Sequence, residues 1–108
     1  MTDKIVVFST CANAEEAARI ARHLVENHLA ACVNIVPEIH SVYRWKGAVE
    51  EATECMLIIK SKRDLAERLS AEIAGMHSYQ VPEVIALPII DGASSYLNWL
   101  DHELSREE

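Results

Sequence analysis

The chain has 108 residues, half of them apolar and a quarter charged, a size and balance that suit one domain spanning 1–108 and exclude a disordered, collagenous or repeat protein. Ten Lys and Arg against 17 Asp and Glu leave a net charge of −7, a field that repels nucleic-acid phosphates and anionic lipid headgroups, so neither is an expected partner. The three cysteines, Cys11, Cys32 and Cys55, form no Cys-x-x-Cys pair and no even disulfide set, and no segment has the length of a membrane span or the pattern of a secretory leader, so a reducing cytoplasm is the expected location.

Lys4 to Phe8 predicts a short buried strand, because Ile5, Val6, Val7 and Phe8 are β-branched or aromatic and carry no helical period. A helix follows, opened by Asn13 with Glu16 three residues on as in a capping box, with Ala17, Ile20, Ala21, Leu24 and Val25 on one face and Glu15, Arg19, Arg22 and Glu26 opposite. Ala31 to Trp45 reads as one long extended stretch interrupted by Pro37, which predicts an edge position, a bulge or a bend. Lys46-Gly47 turns the chain, and Val49 to Lys60 returns, polar at first and then apolar on both faces from Cys55 to Ile59. A second helix is expected to open at Ser61 with Asp64, to carry Leu65, Leu69, Ile73 and Met76 on one stripe, and to stop near Gly75. After the loop His77-Ser78-Tyr79-Gln80, Val81 to Ile90 predicts a fourth strand bracketed by Pro82 and Pro88. Asp91-Gly92 then leads into a last helix with Tyr96, Leu97, Leu100 and Leu104 as its apolar face.

This order predicts an α+β, ferredoxin-like (βαββαβ) fold: an antiparallel sheet with two helices on one face, a long hairpin and an extra C-terminal helix. Fifteen extended residues at roughly 3.3 Å each span about 50 Å, against a radius of gyration near 13 Å for a domain of about this size. The hairpin should therefore overhang its own core, exposing Val42, Tyr43, Trp45 and Val49, and a second subunit is expected to cover it.

Catalytic signatures are missing: there is no Gly-x-Ser-x-Gly, no His-Glu-x-x-His, no Gly-rich phosphate loop and no dinucleotide fingerprint, so no enzyme is expected. RNA recognition on such a sheet needs aromatics on the central strands, which offer only Phe8, and an acyl phosphate hydrolase needs a basic anion loop where Thr10-Cys11-Ala12-Asn13 stands. Soft metal ligands remain. Cys11 after the first strand, His77 after the second helix and Cys32 at the start of the second strand are the candidate ligands, of types that suit copper or another divalent transition metal, with no metal required for folding. Cys55 reads as core, and His23, His28, His40 and His102 read as surface residues.

Four segments carry a resemblance that spans nearly the whole chain: Leu29-Ala30-Ala31-Cys32-Val33-Asn34-Ile35, Ser41-Val42-Tyr43-Arg44-Trp45-Lys46-Gly47, His77-Ser78-Tyr79-Gln80-Val81-Pro82-Glu83 with Val84 to Ile89, and Tyr96-Leu97-Asn98-Trp99-Leu100. In these the chain resembles the divalent-ion tolerance family CutA. The resemblance implies a homotrimer built through the long hairpins, similar to the PII signalling proteins, a role in tolerance of copper and other divalent metals, and no established catalysis. It also makes a PII-like small-molecule sensor the alternative, with Trp45, Lys60, Tyr79 and Glu83 in a cleft between subunits. Family members commonly carry Thr-Cys-Pro-Asn and His-Pro-Tyr where this chain has Ala12 and Ser78 in place of the prolines, so the ligands carry over while the rigidity of the proline rings does not.

Overall fold

In the computed structural model, which describes residues 2–104, β1 (Lys4–Cys11), α1 (Ala14–Glu26), β2 (Cys32–Trp45), β3 (Ala48–Lys62), a 3-10 turn (Arg63–Leu65), α2 (Ala66–Met76), β4 (Ile85–Pro88) and α3 (Ser94–Leu104) succeed one another. The four strands make one antiparallel sheet in the order β2-β3-β1-β4, the ferredoxin-like arrangement that the element order predicts. Alternation along the strands sets its two faces. Ile5, Val7 and Cys11 of β1 and Cys55, Leu57 and Ile59 of β3 turn to a core closed by Ile20 and Leu24 of α1 and by Leu69 and Ile73 of α2. On the other face Val6, Phe8, Met56 and Ile58 are half-buried and Ile85 and Leu87 of β4 are exposed. The apolar end of β3 is thus fully buried on one face only, where the run from Cys55 to Ile59 led us to expect two.

Asn13 caps α1 as its sequence indicates, with extended backbone and a side-chain oxygen accepting from the Glu16 amide at 2.9 Å. The far end closes without glycine. His28 adopts φ 59°, the amides of Leu29 and Ala30 turn back to the Leu24 carbonyl, and the His28 ring meets the Glu103 carbonyl of α3 at 2.8 Å. Three expectations change. Ser61 does not cap α2: β3 runs on to Lys62, and the buried Ser61 hydroxyl donates to the Leu29 carbonyl at 2.6 Å. The fourth strand shrinks to Ile85–Pro88, pairing with β1 from Ile5↔Pro88 to Phe8↔Ile85, because the residues before it are drawn away to the end of β1. In α3 it is Leu100 and Leu104 that are buried, while Tyr96 is exposed beside Trp99.

The hairpin pairs from Cys32↔Lys60 out to Trp45↔Ala48, and Pro37 produces a register shift between Val36 and Ile39, where the Cys55 thiol donates to the Pro37 carbonyl at 3.2 Å. Lys46 (φ 50°) and Gly47 (φ 84°) form the two-residue turn, whose positive φ values favour glycine at the second position. The overhang is evident in extents of 45 × 28 × 23 Å and a radius of gyration of 14.5 Å. Leu57→Ala, at a fully buried position between both helices and β1, is expected to cost about 2–5 kcal/mol in chemical denaturation.

Candidate functional site

The end of β1, the start of α1 and the loop after α2 converge around one buried carboxylate. Glu16 sits in the first turn of α1 and is 4% exposed; Oε1 accepts from the Ala12 amide at 3.1 Å and Oε2 from the Ser78 amide at 2.8 Å. Glu16 therefore does not complete the capping box by bonding Asn13 in return; it reaches one residue further back and across to the next loop. Burial pushes its carboxyl up, and the hydrogen bonds from Ser78 and Ala12 outweigh that and hold it below the usual range. The loop so anchored places His77, whose Nε2–H donates to the Thr10 carbonyl at 2.6 Å while Nδ1 accepts from the Tyr79 amide at 3.1 Å, a pattern that fixes the ring as one neutral tautomer.

Cys11, the last residue of β1, is fully buried beside them, and its sulfur, the Glu16 carboxylate and the His77 ring lie within 4.8 Å of one another. Burial pushes the Cys11 thiol up to about 12, with the Glu16 carboxylate adding to the shift. Sulfur, imidazole nitrogen and carboxylate oxygen are a donor set for copper or zinc. Every donor is already engaged or protonated, so coordination would exchange hydrogen bonds to Thr10, Ala12, Ser78 or Tyr79 and release the thiol proton. Cys32 stands apart in the protomer. It pairs with Lys60, five positions along β3 from the Cys55 that faces Cys11, which is about 17 Å of strand, and its sulfur lies 3.8 Å from Asn34 Oδ1.

On the opposite face of the same strand ends, a cavity of about 900 Å³ opens under the hairpin. Trp45, Tyr79 and Glu83 line it together with Tyr43 and Glu54, whereas Lys60 does not and instead has its ammonium on Asn34 Oδ1. The Tyr79 hydroxyl donates to Glu54 Oε2 at 2.6 Å, and burial together with that carboxylate pushes the phenol upward. Glu16 and Glu54 are the residues our sequence reading did not place in a site. Glu16 shares the helical stripe of Ile20 and Leu24, and Glu54 alternates with Met56 and Ile58, so a charge on an apolar face was the available signal in both. Two of the histidines expected at the surface are hydrogen-bonded to carboxylates: His23 meets Glu72 across α1 and α2 at 2.6 Å, and His40 meets Glu51 across the hairpin at 2.7 Å.

The sequence matches the CutA1 divalent ion tolerance protein family over residues 5–103. It is 50% identical over 96 residues to the chloroplastic protein CutA of Arabidopsis thaliana, covering 89% of this chain and 53% of that protein. It is 46% identical over 95 residues to the divalent-cation tolerance protein CutA of Thermus thermophilus, covering 88% and 92%. The crystal structure of CutA from Xylella fastidiosa superposes with a TM-score of 0.94 at 36% identity, over 96% of this chain and all of that one. The chain spans about half the length of several curated relatives that it matches, the Arabidopsis protein among them.

Glu16→Gln keeps one acceptor where two amides need one each, so it should lower stability by about 1–3 kcal/mol at neutral pH. Because the folded carboxyl is held low, its contribution is complete above the ordinary carboxyl range near 4.5 and is lost as pH falls through the folded value. Denaturation of parent and variant should therefore converge in acid, and a difference that persists there would remove the charge from the account.

Proposed function

The chain belongs to the CutA1 divalent ion tolerance family, and on that premise we propose that it is a homotrimeric, cytoplasmic protein that binds a soft transition metal, copper foremost, through Cys11 and His77 with Glu16 as a third donor. The observation that carries the reading is the gathering of those three donors within 4.8 Å by elements distant in sequence. Cys32 can join only from elsewhere in an assembly or after a rearrangement. A metal bound there would supply charge compensation for Glu16 and a strong affinity for sulfur. The chain's own part is to bring the donors together, shield them from water and keep the thiol protonated until metal arrives. We read the protein as a binder and not an enzyme, since a buried thiol held near 12 is a poor nucleophile. Among the described residues no helix is long and apolar enough to cross a membrane; the Arabidopsis relative is named chloroplastic, and the CutA of Archaeoglobus fulgidus is named periplasmic.

Trimerisation is supported by the surface that the fold leaves uncovered. Val42, Tyr43, Trp45 and Val49 are 39–64% exposed on the overhanging hairpin, and the face of the sheet turned away from α1 and α2 carries the exposed Ile85 and Leu87. An apolar patch of that kind on a sheet edge calls for a protein partner, and a second and third copy are the partners always present. The cavity under the hairpin favours a second reading, a PII-like sensor of a small molecule, through Trp45, Tyr79 and Glu83, with Lys60 reaching a cleft only from a neighbouring subunit.

Copper should bind the parent far more tightly than magnesium or calcium, and Cys11→Ser with His77→Ala should abolish the difference in a competition titration; unchanged copper affinity in the double variant would sink the assignment. With the thiol at about 12, metal competes with a proton throughout the neutral range, so affinity should climb by up to about tenfold per pH unit from pH 7 upward. Sedimentation should give a trimer that Trp45→Asp weakens, because an unpaired charge inside an interface is costly; a monomeric parent would end the argument.

A further inference from the structure

The cavity under the hairpin has a definite electrical character. Two carboxylates, Glu54 and Glu83, and the rings of Tyr43, Trp45 and Tyr79 line it, with apolar wall from Val42 and no Lys, Arg or His. Glu54 is 8% exposed and forms no ion pair among the described residues; Oε2 takes the Tyr79 hydroxyl at 2.6 Å, and Oε1 has no hydrogen-bond partner. The second oxygen opens on the cavity, where a ligand that brings a positive charge and an N–H donor can reach it, and two carboxylates without a basic residue favour a cation over an anion. The rings add to the same preference, since their faces attract cations. Trp45 already does so, with the Lys46 ammonium 5.7 Å from its ring centroid although Lys46 does not line the cavity. A volume of about 900 Å³ is in the range of small-molecule sites and leaves room for more than a bare ammonium ion.

We propose that this cavity is a binding site for a primary amine with an apolar body, its ammonium donating to Glu54 near Glu83 and its body lying against Tyr43, Trp45 and Tyr79. The site is separate from the Cys11–Glu16–His77 donors, which turn to the helix-covered face of the sheet. It rests on the small-molecule reading of the cleft and narrows it, because two carboxylates repel the phosphates of a nucleotide.

The test is a calorimetric titration of the assembled full-length protein with benzylamine, benzyl alcohol and ATP. The first two are close in shape and differ in charge. Benzylamine is expected to saturate at one per chain with the alcohol at least about tenfold weaker, the factor that one desolvated cation contact supplies. Glu54→Gln should weaken benzylamine by about tenfold or more without changing the oligomeric state, and Glu83→Gln, at an exposed loop position, should weaken it less and serves if the buried variant does not fold. Equal binding of the alcohol, or benzylamine affinity indifferent to both variants, overturns the proposal. Binding of ATP without benzylamine overturns it too, while leaving the cleft a small-molecule site. If neither ligand binds and Glu54→Gln alters assembly instead, the cation that Glu54 awaits is a lysine or arginine of a second copy, and the proposal fails.

Discussion

The buried carboxylate of Glu16 decides where everything else at this end of the molecule goes. Lying in the first turn of α1, it is favoured by the positive end of the helix, and it is affordable in the interior only because two amides donate to it. Those amides come from Ala12, before α1, and Ser78, after α2, so one charge fastens two loops that are 66 residues apart in sequence. Once Ser78 is fixed, its neighbours follow: His77 reaches the Thr10 carbonyl, and Tyr79 reaches Glu54 at the root of the hairpin. The donors for a metal and the wall of the cavity are therefore set by the same anchor.

Strand alternation then divides the chemistry. Thr10 and Glu54 turn to the face away from α1 and α2, whereas Cys11 and Cys55, one residue further on each, turn to the core that those two helices cover. The result is a water-poor, sulfur-bearing pocket on one side of the sheet and an open, acidic and aromatic one on the other, separated by a single layer of backbone. The loop from His77 to Tyr79 wraps the strand ends and serves both. A one-residue slip of β1 against β3 would exchange the two environments, and the register is protected against it by the core residues Val7, Leu57 and Ile59.

Most of the architecture was legible because the signals were periodic and local: the helical stripe from Ala17 to Leu24, the Lys46-Gly47 turn and the break at Pro37 each translate into structure by short-range physics. Ser61 misled because a serine ahead of an apolar stripe looks like a cap, and only the tertiary structure supplies the Leu29 carbonyl that it serves. Val81 to Val84 reads as strand by composition, but the loop is held toward the end of β1 and pairing begins at Ile85. At the site, the meeting of Cys11 with His77 followed from topology. The gap between Cys32 and Cys11 depended on strand register, and the parts played by Glu16 and Glu54 on which apolar faces are closed, none of which spacing reveals.

Two main-chain N–H groups hold Glu16, with the Ser78 side chain adding to them, and this has a consequence for how the site can vary. Ordinary side-chain replacements at 12 and 78 leave the two amide donors in place; only proline deletes one, since it has no N–H to give. Proline is the residue that the family patterns Thr-Cys-Pro-Asn and His-Pro-Tyr put at these two positions. In that version ring constraint stiffens the loops; in this chain an ionic tether does the same work. In this chain the two solutions conflict, because a proline at either position would remove the amide that satisfies one oxygen of the buried carboxylate. Positions 12, 16 and 78 are therefore coupled in this chain through one carboxylate, and what can be tolerated at the two loop positions is set by a residue inside the helix.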